Sequence, residues 1–543
     1  MKKILIVFVS LLLLSCNNIP FYNKLKNQFI QSERIDDASI IYEQNKFDVL
    51  QNNLRFKFDI PNKVLFGNVK TVFRVLSDSL NEVYLNFYDN MDINFVKYKN
   101  EDLIFNCDDN YIIIKKKFNK NDIIEIEIDY FGTPETEGFS SFSFTEIDGA
   151  TTVFSLSEPN YAPTWWPCKD RIDDKFLVSI EAEYPDSLTL AAQGKIIYRK
   201  ITNGLVQEKR KSKYPISTYL VSLNLGKYEH WSDIYTTQDS LSSMAVNYYA
   251  FPSFLEKAKD DWERTPEMIN FYSSLFGEYP FLDEGYGMSM FGWSNGAMEH
   301  QTISSMGYNT VTGNKVYEKI VAHELAHQWF GDAVTPESWK DIWLNEGFAT
   351  YSEGLWIEHT KGKNALINFM NGIDNNYFYG TVYAPSVNLF GSASYNKGAW
   401  CLHMLRGITG DSVFFKILNR FYLQNKYQNA STFDFKNVCD VMYGKNLDWF
   451  FKEWIFEGTG RPDYEYSVTQ NNSDCNLKII QTQSDSVYIM PVQIEIKTDS
   501  DVKEFTFFND KREQEFSFQI EGKILEVNFD KNNFILKRVK KSG

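Results

Sequence analysis

Val321-Ala-His-Glu-Leu-Ala-His327 is the stretch that decides the fold. His323 and His327 are four residues apart. On a helix that places both imidazoles on one face, one turn apart, where they can share a metal ion. Glu324 lies about 100° round the helix from His323, within reach of a water on that metal. A catalytic zinc usually takes three protein ligands and keeps one position open. Glu346, in Trp343-Leu-Asn-Glu-Gly-Phe-Ala349, is the candidate third ligand, nineteen residues beyond His327. That is enough chain to end one helix, turn, and begin a second that faces the first. Val316, Ile320, His323 and His327 follow at spacings of four, three and four, which reads as one inward stripe that begins apolar and ends at the metal.

The chain begins with a segment that reads as an address. Lys2 and Lys3 precede eleven mostly apolar residues, Ile4 to Leu14. Such a run is too short to span a bilayer but suits a secretory signal. It ends in Leu13-Leu14-Ser15-Cys16, which resembles a bacterial lipobox, so residues 1–15 read as a lipoprotein signal peptide and Cys16 as the lipidated residue. The expected location is the bacterial cell envelope, with a soluble body anchored to a membrane by lipid.

Composition fits a large globular body: 543 residues, 43% hydrophobic and 23% charged. The formal charge of −15 becomes −17 once Lys2 and Lys3 leave with the signal. A protein that binds nucleic acid through its backbone needs the opposite sign, so no nucleic-acid partner is expected. Beyond Cys16 there are five widely spaced cysteines, at 107, 168, 401, 439 and 475, with no CxxC pattern. They indicate neither a disulfide framework nor a structural zinc, and read as mostly buried thiols.

Residues 16–45 read as a tether. From 46 to about 236 the pattern is β: Leu54–Ile60, Thr71–Leu76, Val83–Tyr88, Tyr111–Phe118 and Ile123–Tyr130 alternate or run apolar over short stretches. Ser157 to Asp170 interrupts this with a Pro- and Trp-rich run that reads as a packed loop at a domain junction. From 237 the period turns helical. Ser253–Leu275 reads as one amphipathic helix, then come Gly296-Ala-Met-Glu299, a strand at Gln301–Met306, and the His-Glu helix. Tyr395-Asn-Lys-Gly-Ala-Trp400 opens another helix, and Arg461-Pro-Asp463 marks a boundary. Residues 462–543 return to a period of two and suggest a small β-sandwich.

Three motifs now stand in order: Gly-Ala-Met-Glu, His-Glu-x-x-His with a Glu nineteen residues on, and Tyr-x-Lys-Gly. Together they resemble the zinc aminopeptidases of peptidase family M1, the gluzincin group that contains aminopeptidase N and leukotriene A4 hydrolase. The resemblance runs from about residue 45 to 465. It implies a multidomain α+β architecture: an N-terminal β domain (46–236), a thermolysin-like zinc catalytic domain (237–461) and a short C-terminal β domain (462–543).

The resemblance further implies that His323, His327 and Glu346 hold one Zn2+ per chain. Glu324 would be the general base toward a zinc-bound water, and Tyr395 the hydroxyl that stabilises the oxyanion. Glu299 would bind the substrate's free α-amine, shared with Glu158, which falls where the family places a Gln or Glu. Gly296, Ala297 and Met298 would line the peptide. The expected function is removal of N-terminal residues from peptides with a free amine. A zinc endopeptidase indifferent to that amine, or a catalytically silent peptide-binding lipoprotein, are the alternatives. Two departures stand out. His300 replaces the family's usual Asn and brings a ring that ordinarily titrates near neutral pH. The chain also carries only about eighty residues after the catalytic domain, where many members have a long helical one. His230, His359 and His403 have no motif around them and read as structural or surface residues.

Overall fold

Phe47–Asp59 is the axis of the N-terminal half. It runs antiparallel to Val64–Val75 on one side and parallel to Leu177–Pro185 on the other. The full sheet has eight strands and extends outward through Leu205–Lys211 to Lys195–Thr202, and through Ile123–Gly132 to Met91–Tyr98 and Glu101–Asp102. Its inner face is built by simple alternation. Ile124, Ile126, Ile128 and Tyr130 are buried, while Glu125 and Glu127 point outward. The computed structural model describes residues 38–542 except 376 and 387. The segment read as a tether ends in a short helix, Ala38–Gln44; Cys16 and the signal lie outside the described residues. Glu43 onward forms one compact unit.

The Pro- and Trp-rich run folds as the junction loop expected. Trp165 and Trp166 are wholly buried in the N-terminal core. Trp165 Nε1 donates to Ser157 Oγ at 3.1 Å, and the Tyr130 hydroxyl donates to the Trp165 carbonyl at 2.7 Å. Across the junction, Trp339 Nε1 donates to Asn160 Oδ1 at 2.9 Å, and Lys175 Nζ donates to the Asp332 and Ala333 carbonyls at 2.8 and 3.2 Å. The segment that carries Glu158 is thereby fixed to the chain just beyond His327.

The part of the chain that follows is built on a five-stranded sheet: Glu229–Thr236, Ser243–Ala250, Tyr286–Phe291, Ile303–Gly307 and, at its edge, Ala297–Met298. Glu229–Thr236 lies before the expected boundary at 237, yet it pairs with Ser243–Ala250 in this sheet. The three middle strands are parallel, and the edge strand is antiparallel to its neighbour. Helices pack beside the sheet. The single helix expected over Ser253–Leu275 is two, Leu255–Trp262 and Thr265–Phe276, because Pro266 stands at the start of the second. Proline lacks the amide proton a helix interior needs and clashes with the preceding turn.

The remaining residues form a four-stranded and a three-stranded sheet, from Asp463–Asn471 to Arg538–Lys541. Their apolar residues join one core with the five-stranded sheet and its helices. Trp454 packs on Tyr488 with ring centroids 4.9 Å apart, and His403 Nε2 lies 3.2 Å from the Asn533 carbonyl. Phe534 sits against Gly407 so closely that a Cβ there would fall 2.6 Å from the Phe534 side chain.

Candidate active site and metal centre

The helix Glu318–Ala326 carries His323 and Glu324, and His327 follows it with dihedrals that are still helical. Val316 lies outside this helix and is exposed, so the apolar part of the expected stripe begins at Ile320, which is half-buried. The second helix, Trp343–Lys361, brings Glu346 in its first turn. Glu346 Oε2 lies 3.3 Å from His323 Nε2 and 3.5 Å from His327 Nε2. Ligands about 2.0–2.1 Å from a tetrahedral ion stand about 3.3–3.4 Å from one another, so these three donors fit zinc.

The far nitrogens agree with that fit. His323 Nδ1 is 2.9 Å from Glu353 Oε1, and His327 Nδ1 is 3.1 Å from the Phe330 carbonyl. Each ring donates its Nδ1 proton outward, which leaves the Nε2 lone pair facing inward, as metal-ligating histidines do. Glu353 is a residue the motif reading left without a role. It lies seven residues, two helical turns, beyond Glu346 and so shares its face.

Glu324 and Glu299 bring carboxylate oxygens within 4.8 Å of a His327 nitrogen. Burial pushes the Glu324 carboxyl up to about 8 against the pull of His323 and His327, with Glu299 and Glu346 adding to the rise. Tyr395 sits in a π-helical turn, Ala393–Lys397, a local geometry frequent at functional sites. Its ring lies parallel to that of His323, centroids 6.0 Å apart. Burial, with Glu346 and Glu158 nearby, holds its hydroxyl well above the usual range, so it keeps a proton to donate. Gly347 and Gly398 allow this placement. A Cβ on Gly347 would meet Gly398 Cα at 2.9 Å and the Ser394 carbonyl at 3.1 Å. Only two glycines let the helix of Glu346 and the helix after Tyr395 approach so closely.

Glu158 and Glu299 close the other side. Oxygens of Glu158, Glu299 and Glu346 all lie within 4.8 Å of one another. Glu158 is pushed well above the usual carboxylate range by burial, then by Glu299 and Glu346. Its Oε1 is buried and has no hydrogen-bond partner among the described residues. Buried carboxylates this close call for a cation between them.

Gly296 has a left-handed φ of +80°, and its carbonyl takes the Gly307 amide at 3.0 Å. Ala297 and Met298 form the edge strand. The Met298 side chain is buried in the N-terminal core, so only its main chain is available to a peptide. His300 departs from the expected near-neutral behaviour. It is wholly buried, its Nδ1 lies 2.8 Å from Ser305 Oγ, and burial pushes it down to about 3. It stays neutral across the physiological range. His230 is exposed beside Asn247, His359 stacks on Phe271, and His403 is buried. Cys107 is exposed, while Cys168, Cys401, Cys439 and Cys475 are buried free thiols.

Fold and site together bring two histidines and one glutamate into a cluster that fits a zinc ion. Residues 261–454 match the Peptidase family M1 domain. "Probable aminopeptidase 2" of Sulfurisphaera tokodaii is 26% identical over 508 residues, covering 88% of this chain and 62% of that protein. "Leucyl aminopeptidase" of Saccharolobus solfataricus is 24% identical over 465 residues, covering 81% and 57%. The chain thus spans about three fifths of the length of these relatives. An M1 zinc metallopeptidase mutant from Deinococcus radiodurans, bound to a Tyr-Ser-Ala substrate, superposes with a TM-score of 0.69 at 23% identity, covering 77% of this chain and 96% of that one. Legionella pneumophila aminopeptidase A, in complex with aspartic acid, gives 0.79 at 18% identity, covering 92% and 60%.

Proposed function

We propose that the protein is a zinc-dependent aminopeptidase that removes the first residue from peptides with a free N-terminus. One observation carries the reading: Glu158 and Glu299 converge beside the His323, His327 and Glu346 donors, and Glu158 Oε1 has no hydrogen-bond partner among the described residues. A substrate ammonium supplies the missing cation and fixes the peptide one residue from the metal. His323, His327 and Glu346 would hold one zinc ion per chain, which would supply a Lewis acid toward the scissile carbonyl and lower the pKa of water toward ~7. Glu324 accepts the proton and later returns it to the leaving amine. Tyr395 donates to the oxyanion that forms on the substrate. The edge strand Ala297–Met298 offers main-chain groups along which the peptide lies.

The test compares a free-amine aminoacyl arylamide with its N-acetylated twin, using Glu324→Gln as the blank. Turnover of the free amine alone, lost in the variant, supports the reading. Equal turnover of both removes the amine requirement and leaves an endopeptidase.

The address reading leads to an exported protein held in the cell envelope by lipid on Cys16. Metabolic labelling with a radioactive fatty acid tests it. Label lost in Cys16→Ser supports the anchor; no label on the wild type sinks it.

A further inference from the structure

The amine anchor is held by the immediate chain neighbours of two metal-ligand candidates. Glu299 directly follows the edge strand and precedes a tight turn in which the Ile303 amide donates to the His300 carbonyl at 2.9 Å. Thr302, within that turn, has φ +65°. A β-branched residue there is unfavourable and persists only when its surroundings hold it. Gln328, next after His327, provides that hold. Its Oε1 accepts the Thr302 amide at 2.8 Å, and its Nε2 donates to the Glu299 carbonyl at 3.2 Å. The Tyr279 hydroxyl, 3.3 Å from the same Oε1, steadies the amide in turn.

The carboxylate has a separate hold. Asn345, the residue before Glu346, donates from Nδ2 to Glu299 Oε1 at 3.0 Å. Gln328 and Asn345 are both wholly buried. The Asn345 amide in turn fits only because residue 331 is glycine, with φ +137°, where a Cβ would fall 2.2 Å from Asn345 Oδ1. Main chain and carboxylate of the anchor are thus tied, through two independent hydrogen-bonded arms, to the peptide units that carry His327 and Glu346.

We propose that Gln328 and Asn345 are positioning residues that set the spacing between metal and amine, and so confine cleavage to the bond after a single α-amino residue. The inference rests on the aminopeptidase reading. An α-aminoacyl group has one carbon between amine and scissile carbonyl, and a β-aminoacyl group has two. A rigid spacing accepts the first and refuses the second, since small misplacements of reacting groups cost large factors in rate.

The experiment measures kcat and KM for leucyl, β-homoleucyl and N-acetyl-leucyl 4-nitroanilides with wild type, Gln328→Ala and Asn345→Ala, with zinc content determined for each. Wild type should prefer the α substrate over the β by about 100-fold or more. In each variant that preference should narrow by about tenfold or more, chiefly through KM of the α substrate, with zinc retained. A parallel fall for both substrates, or an unchanged preference, with N-acetyl-leucyl nitroanilide still refused by wild type, overturns the positioning role alone. Turnover of the N-acetyl substrate by wild type overturns the aminopeptidase reading itself. Should Gln328→Ala not fold, Gln328→Asn keeps both hydrogen-bonding atoms on a shorter arm and carries the same expectation.

Discussion

Glu353 Oε1 lies 2.9 Å from His323 Nδ1, on the same helix as Glu346 and two turns further along. The carboxylate fixes which nitrogen of the ring carries the proton and makes the opposite nitrogen a better ligand. Glu353→Gln should therefore weaken zinc binding by about 10- to 100-fold, the usual cost of losing such a partner. Titration against a competing chelator measures it, and added zinc should restore turnover. Wild-type affinity in the variant would remove this role from Glu353.

In the proposed reaction Glu324 moves the proton, and it supplies none of the three converging donors. Glu324→Gln should keep zinc at wild-type stoichiometry and lower kcat by about 100- to 10,000-fold, the range for a positioned acid–base group. Metal analysis and steady-state kinetics on the same preparation check both halves. Loss of zinc together with activity would instead make Glu324 part of the metal centre.

Gly347 has no direct part in the chemistry, yet Gly347→Ala should impair it. The added methyl meets backbone at 2.9 Å, so the helix after Tyr395 must shift outward. Tyr395→Phe should cost about 100- to 1000-fold in kcat, as loss of one oxyanion donor does. Gly347→Ala should reproduce part of that loss while zinc is retained. Wild-type kcat in Gly347→Ala would show that the two helices can part without moving the tyrosine.

His403 makes stability depend on acid. Burial, aided by Arg406, pushes its ring down to about 3, while the unfolded chain protonates near 6.5. Between those values the unfolded state binds more protons, so stability is fully present above about 6.5 and is lost as pH falls toward about 3. His300 acts in the same direction. His403→Gln keeps the capacity to bond the Tyr351 hydroxyl and the Asn533 carbonyl, but removes the titration. Its deficit relative to wild type at pH 7 should shrink by pH 4.5, read by urea unfolding at each pH. A deficit that stays constant would mean the ring titrates alike in both states.

Helix geometry made the metal donors legible, because two histidines four apart share a face wherever the helix sits. Glu346 was legible from its distance and Tyr395 from its motif, but nothing local in sequence says how closely their helices approach. That is decided by the pairing of Gly347 with Gly398, fifty-one residues apart. Glu353 carried a signal, its two-turn offset from Glu346, that only a placed helix turns into a role. Asn345 stood inside a quoted motif and Gln328 directly after one, but their partner Glu299 arrives from another element. The stripe through Val316 failed because the helix begins two residues later, at Glu318. The run over Ser253–Leu275 failed where amphipathic period and proline chemistry disagreed, and the proline prevailed. In Asp463–Asn471 and Asp474–Gln481 the period of two expected for the terminal residues is carried by Tyr464, Tyr466, Leu477 and Ile479, which alternate inward among polar neighbours.

The joint around Trp454, Gly407 and His403 gives the chain a seam without a break. Tyr488 reaches from the last eighty residues into the apolar core that also holds the two donor-bearing helices, while Phe534 packs on Gly407 and the Asn533 carbonyl lies beside His403. Emptying one such large buried site costs about 3–5 kcal/mol, a large share of what holds an ordinary domain folded. A protease that nicks the chain near residue 461 would therefore leave two fragments bound as one body, melting together. A chain shortened to that point would leave the apolar surface under the donor-bearing helices open to water, so the smallest stable fragment extends past the Tyr395 turn into the terminal sheets.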